Sequence, residues 1–157
     1  MSTRQNAGQT FDFVIIGAGM AGASAAYFLA GGASVLVLEM EDQPGYHTTG
    51  RSAALYTEAY GNAPIRALTS SGRAFLTHPP DGFTDSAILR PRGAMFVGRA
   101  DQLAALDAAY AAGSEHVATM QRLSAAEVLE RVPVLREDYV AAGVLEADAM
   151  DMDVNAL

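Results

Sequence analysis

Apolar and polar positions alternate along the chain with two different periods. Phe11 to Ile16, FDFVII, is a short apolar run closed by glycine, the pattern of a buried parallel strand. From Met20 to Ala30 the spacing changes: Ala21, Ala25, Phe28 and Leu29 recur at helical intervals, and Gly31-Gly32 stop the helix. Ser34 to Leu38, SVLVL, is a second buried strand that ends at Glu39. A strand, a helix and a strand joined this closely predict a parallel pair with a crossover helix.

Beyond that unit the pattern is more broken. Pro44 to Ala54 is rich in Gly, Thr and Ser and reads as a loop, followed by a short helix around residues 52–60. Pro64 opens a helix whose face is formed by Ile65, Leu68, Gly72, Phe75 and Leu76, and His78-Pro79-Pro80 ends it. Strands are predicted at 87–89 and 94–97, around Pro91-Arg92-Gly93. Leu103, Leu106 and Tyr110 mark a helix closed by Gly113. Ser124 and Glu127 form a capping box for one more short helix, which Pro133 ends, and residues 140–145 read as a strand.

Composition narrows the function. The 157 residues allow one domain of ordinary size. Half are hydrophobic, which excludes a disordered tail as the main reading. Ten basic against eighteen acidic residues leave a net charge of −8. That balance argues against nucleic acid and against an anionic membrane surface. No apolar run is long enough to span a bilayer. There is no cysteine, hence no disulfide framework and no thiolate metal site. The polar N-terminus lacks the apolar core of a secretory signal and reads as a disordered lead-in over residues 1–10, which makes the cytoplasm the default compartment.

The chemistry lies in Gly17-Ala18-Gly19-Met20-Ala21-Gly22, a G-x-G-x-x-G between a predicted strand and a predicted helix. Gly17 permits the tight turn, Gly19 lets a pyrophosphate approach the backbone, and Gly22 lets the helix pack on the strand. The helix N-terminus then presents amides and a positive dipole to phosphate. Glu39 stands where a carboxylate accepts hydrogen bonds from a ribose diol and repels a 2′-phosphate, so FAD and NAD both fit the fingerprint. The segment from Gln43 to Ala54 tips the balance: it adds hydroxyls, amides and one guanidinium, which suits a ligand with a second contact zone. Glu146, Asp148, Asp151 and Asp153 lack calcium-loop spacing and read as a solvated acidic stretch rather than a metal site.

FDFVIIGAGMAGAS, VLVLE and above all QPGYHTTGRSAALYTEAYG resemble the N-terminal portion of FAD-dependent oxidoreductases of the D-amino-acid oxidase and glycine oxidase family, in particular its D-arginine dehydrogenase branch. PIRALTSSGRAFL and VPVLRED extend the resemblance more thinly. It implies an α/β fold: an FAD-binding, Rossmann-like βαβ unit followed by the beginning of an α+β substrate domain, incomplete in this chain. The implied division is 11–80 for the N-terminal part of the FAD-binding domain and 81–157 for the start of the substrate domain. The length then reads as a portion of a longer protein, one that folds poorly and does not turn over alone.

The resemblance also implies roles. Gly17, Gly19, Ala21 and Gly22 surround the FAD pyrophosphate, Glu39 holds the adenosine ribose, and Met40 lies beside the adenine. Thr48, Thr49, Gly50, Arg51, Ser52, Ala53, Ala54 and Leu55 run along the pyrophosphate towards the flavin. His47 is a hydrogen-bonded structural residue rather than a covalent flavin link. Tyr60 and Ala94 line the substrate pocket. The implied reaction is hydride removal from the α-carbon of a D-amino acid or related amine, followed by hydrolysis of the imine. The electron acceptor is left open, and no residue of this chain is assigned a catalytic role. D-Arginine enzymes carry a histidine at the position of Leu55 and a glutamate at that of Ala94, so their loss points to neutral or apolar side chains. The competing readings are a stand-alone NAD-binding Rossmann oxidoreductase and a non-catalytic flavoprotein-like module that needs a partner chain.

Overall fold

The computed structural model describes residues 8–157; most of the expected lead-in lies outside them. The described residues form two compact units, one ending at Ala53 and the other running Ala54–Leu157.

In the first unit, β1 (Phe13–Ile16), α1 (Met20–Leu29) and β2 (Val35–Leu38) follow the predicted order. β1 and β2 pair in parallel, from Phe13 opposite Val35 to Ile16 opposite Leu38. Asp12 and Ser34 lock the entry to both strands: the Asp12 carboxylate accepts from the Ser34 amide at 2.8 Å and from its hydroxyl at 2.7 Å. At the other end the Gly17 amide donates to the Leu38 carbonyl at 2.7 Å. The expected burial is not reached. No residue of β1, α1 or β2 is buried, and Ile16 is 88% exposed. Two strands and one helix cannot cover both faces of an apolar pair.

In the second unit, the elements are β3 (Leu55–Tyr56), α2 (Ala63–Thr77), β4 (Leu89–Pro91), β5 (Ala94–Gly98), α3 (Leu103–Ser114), β6 (Met120–Ser124), α4 (Ala125–Arg131), β7 (Ala142–Glu146) and β8 (Met150–Met152). They build two antiparallel sheets, ordered β3-β8-β4 and β5-β7-β6. The capping box before α4 forms as expected, with the Ser124 amide 2.7 Å from the Glu127 carboxylate.

Several local expectations are corrected. The segment expected to start a short helix near residue 52 instead supplies β3, because Leu55 and Tyr56 pair with β8. The two strands expected around Pro91-Arg92-Gly93 form as β4 and β5. Gly93 turns at φ +78°, and the Arg92 and Gly93 amides both donate to the Ala149 carbonyl, which sends β4 and β5 into different sheets. α3 ends at Ser114, one residue past Gly113, and Gly113 is buried where a Cβ would come within 2.7 Å of the Met120 methyl. β6 carries no clear alternation in sequence, and its pairing partner creates it; β8 alternates Met and Asp inside the acidic stretch, between β3 and β4.

The core of this unit lies on the two faces of the β5-β7-β6 sheet. Ala142 and Val144 point to the face where Leu106 of α3, Val117 and Met120 pack. Leu123 of β6 points to the other, against Val128 of α4 and Val140. Alternation along the strands produces this division. Gly143 permits it, since a Cβ there would lie 2.6 Å from a Val128 methyl.

Candidate cofactor-binding site

The site starts from the turn after β1. Gly17 has φ +96°, a conformation that side chains disfavour. Gly22 faces that turn so closely that a Cβ would lie 1.9 Å from the Gly17 carbonyl oxygen. The N-terminal residue of α1 is capped from outside the helix. Gly19 has no side chain to offer, and the Thr49 Oγ1 accepts from the Met20 amide at 3.0 Å. Thr49 thus fills one of the acceptor places a helix start leaves open.

Glu39 joins the two strand ends. Its Oε2 accepts from the Ala18 amide at 2.7 Å, and its Oε1 from the amides of Met40 at 2.8 Å and Glu41 at 3.0 Å. The Glu41 amide, then that of Ala18, hold this carboxyl below its ordinary range, so it stays ionised. A carboxylate offers about four acceptor sites. With three amides bound, one hydroxyl can be added without displacing any of them.

The loop after β2 folds on itself. The Gly50 amide donates to the Gly45 carbonyl at 2.6 Å, and the Arg51 amide to the His47 carbonyl at 3.1 Å. The Arg51 guanidinium lies 5.1 Å from the centroid of the Tyr46 ring. His47 Nε2 sits 2.7 Å from Glu41, which holds the ring in place. These contacts close a cleft of about 240 Å³ lined by Gly17, Gly19, Glu39, Gly45, Tyr46, His47, Thr48 and Thr49.

The structure therefore brings Gly17, Gly19, Glu39, Thr48 and Thr49 to one cleft, with Ala21 and Gly22 in the first turn of α1. Met40 follows Glu39 and is exposed. Gly50, Arg51, Ser52 and Ala53 complete the loop, whereas Ala54 and Leu55 open the second unit. Ala54 has φ +50°, alone among the described non-glycine residues. Gly45, Tyr46 and His47 line the cleft without having been assigned a contact. Their signal was the block QPGYHTTGRSAA that holds them.

In the second unit, Tyr60 is 70% exposed, in the segment between β3 and α2. Ala94 starts β5 directly opposite Glu146 of β7. Glu146 is not part of a solvated stretch: it is 2% exposed, and its carboxyl accepts from the Thr57 hydroxyl and the Glu58 amide. Sequence reading missed it because burial of an acid has no local signature. Among the described residues, no group of three or more His, Cys, Asp or Glu side chains is placed to hold a metal ion. No described helix is long and apolar enough to cross a membrane.

Comparison with known proteins gives this arrangement its class. The profile of the family described as FAD dependent oxidoreductase, DAO, matches residues 12–157, and the chain belongs to that family. The fold is similar to that of L-α-glycerophosphate oxidase from Mycoplasma pneumoniae with FAD bound, at TM-score 0.74 and 19% identity over 94% of this chain and 40% of that one. It is also similar to glycine oxidase from Geobacillus kaustophilus, at TM-score 0.76 and 21% identity over 93% and 42%. Iminodiacetate oxidase from a Chelativorans species matches at TM-score 0.68 and 26% identity over 92% and 41%. The chain spans about 40% of the length of these structures. FAD is the cofactor of the family, and the residues present suit its adenosine and pyrophosphate part. Gly17 turns at positive φ, Gly22 leaves no room for a Cβ against that turn, α1 begins at the cleft, and Glu39 retains one acceptor site beside it.

Proposed function

We propose that this chain is the adenosine-side FAD-binding portion, with the start of the substrate domain, of an enzyme that oxidatively deaminates a D-amino acid or related amine with a neutral or apolar side chain. The observation that carries the reading is the single cleft shared by the Gly17–Gly19 turn, Glu39 and the loop 45–49. When bound, FAD supplies the hydride acceptor. The chain's own residues bind and orient it. The first turn of α1 faces the pyrophosphate, Glu39 accepts from a ribose hydroxyl, and Thr48 with the following loop borders the phosphates.

The substrate side rests on Leu55, Tyr60 and Ala94. Glutamate at the position of Ala94 would attract a cationic side chain, and alanine does not. The neighbouring Glu146 does not replace it, since it is buried and turned to Thr57 and Glu58. This favours neutral substrates over D-arginine. The NAD-binding alternative leaves the loop 45–49 without a use.

Turnover of D-leucine, D-arginine, L-leucine and glycine by the full-length, FAD-loaded enzyme tests the proposal. D-Leucine is expected to be preferred. Preference for D-arginine would overturn the side-chain assignment, and preference for L-leucine would overturn the stereochemical one. Tight NAD binding without flavin colour would overturn the cofactor assignment.

A further inference from the structure

We infer that Glu146 is a positioning residue for the substrate pocket, holding the segment that carries Tyr60; the inference rests on the functional reading above. Glu146 ends β7, the middle strand of its sheet, flanked in register by Ala94 of β5 and Met120 of β6. Strands on both sides fix its backbone. Its Oε2 accepts from the Thr57 hydroxyl at 2.5 Å and its Oε1 from the Glu58 amide at 3.0 Å. The Thr57 oxygen in turn accepts from the Ala59 amide at 3.2 Å. One side chain thus fixes two consecutive residues that lie far from it in sequence, and the first of them holds the third.

The same segment is held from its other side. The Glu58 carboxylate accepts from the Tyr56 hydroxyl at 2.7 Å and lies 3.3 Å from the Arg73 guanidinium of α2. After Tyr60 the chain is caught again, where the Arg66 guanidinium donates to the Gly61 carbonyl at 2.6 Å and Asn62 caps α2. Tyr60 is therefore an exposed ring between two anchored points. A buried carboxyl with a hydroxyl and an amide as partners, and no ion pair among the described residues, is a costly way to fill a core. Its use here is to aim a loop, and the loop it aims carries the tyrosine assigned to substrate.

The test uses the FAD-loaded, full-length enzyme with Thr57→Val, Thr57→Ser and Glu146→Gln, and Leu123→Ala as a core control. Thr57→Val and Glu146→Gln are expected to raise KM for the amine substrate about tenfold with kcat within about twofold, the pattern of lost uniform binding. Thr57→Ser is expected to behave as the parent, and Leu123→Ala to lower the melting temperature without moving KM. Unchanged KM in Thr57→Val, or an equal rise in Leu123→Ala, would overturn the assignment. If Glu146→Gln fails to fold, the Thr57 pair decides. If the parent turns over no amine, the functional reading fails, and hydrogen exchange at residues 58–60 still decides the anchor. Faster exchange in the Val variant upholds it, and equal protection overturns it.

Discussion

The Glu39 carboxylate accepts a hydrogen bond from the Ala18 amide at 2.7 Å, so the acid that ends β2 is tied to the glycine turn that ends β1. The two sequence signals of the cofactor site are thus one physical unit. Glu39 organises the turn with the same group proposed to accept a ribose hydroxyl.

This double use has a pH signature. The amides of Glu41 and Ala18 hold Glu39 below its ordinary value of 4.5, so folding favours the ionised form. Its contribution is fully present above pH 4.5 and is lost as pH falls through the lower folded value. Chemical unfolding at stepped pH should show a stability gap between the parent and Glu39→Gln near neutrality that closes in acid. A gap that persists unchanged in strong acid would contradict this. FAD affinity should fall on the order of tenfold in the same variant near neutrality.

Two glycines should respond to alanine with opposite signs. At Gly22 the new Cβ would lie 1.9 Å from a backbone oxygen that cannot move aside. Gly22→Ala is expected to cost about 2–3 kcal/mol, as overpacking does, and to abolish flavin binding. Gly72, inside α2, has nothing within 4 Å of its would-be Cβ. Gly72→Ala should stabilise by about 0.5–1 kcal/mol. Denaturant midpoints of the two variants check both signs.

Thr49 can be separated from its loop by one atom. Thr49→Val keeps the shape and removes the acceptor that caps Met20. A cost of about 1 kcal/mol is expected, with faster amide exchange in the first turn of α1. Thr49→Ser should restore both. Equal exchange in all three proteins would mean that the cap holds nothing.

Tyr56 makes a prediction at alkaline pH. Its buried hydroxyl serves Glu58 at 2.7 Å and the Thr69 carbonyl at 3.1 Å. Burial, and then Glu58, push the phenol well above its ordinary value of 10.0. The neutral phenol's contribution is present below pH 10.0 and is lost as pH rises through the higher folded value. Tyr56→Phe should cost about 1–2 kcal/mol at neutral pH. Stability of the variant should then fall less steeply than that of the parent in alkali, as followed by thermal unfolding.

The local signals were legible because each acts over a few residues. The glycine spacing, the apolar run FDFVII and the Ser124–Glu127 box are short-range patterns, and all three appear at the expected places. β6 was not legible, because a strand without alternation is made by its neighbours, and the Met–Asp alternation of β8 is hidden in an acidic stretch. Nor was the burial of Gly113 against Met120, which only the packed fold creates.

By itself the sequence determined the βαβ unit, the glycine turn with Glu39 beyond it, and the family, since these depend on residue type and spacing. Only the tertiary structure decided how the side chains are used. It tied Glu39 to Ala18, brought Thr49 to the start of α1, and buried Glu146 under Thr57 and Glu58. The physical reason is range. Spacing specifies backbone geometry within an element, whereas a hydrogen bond between residues 57 and 146 exists only after two distant segments have packed together.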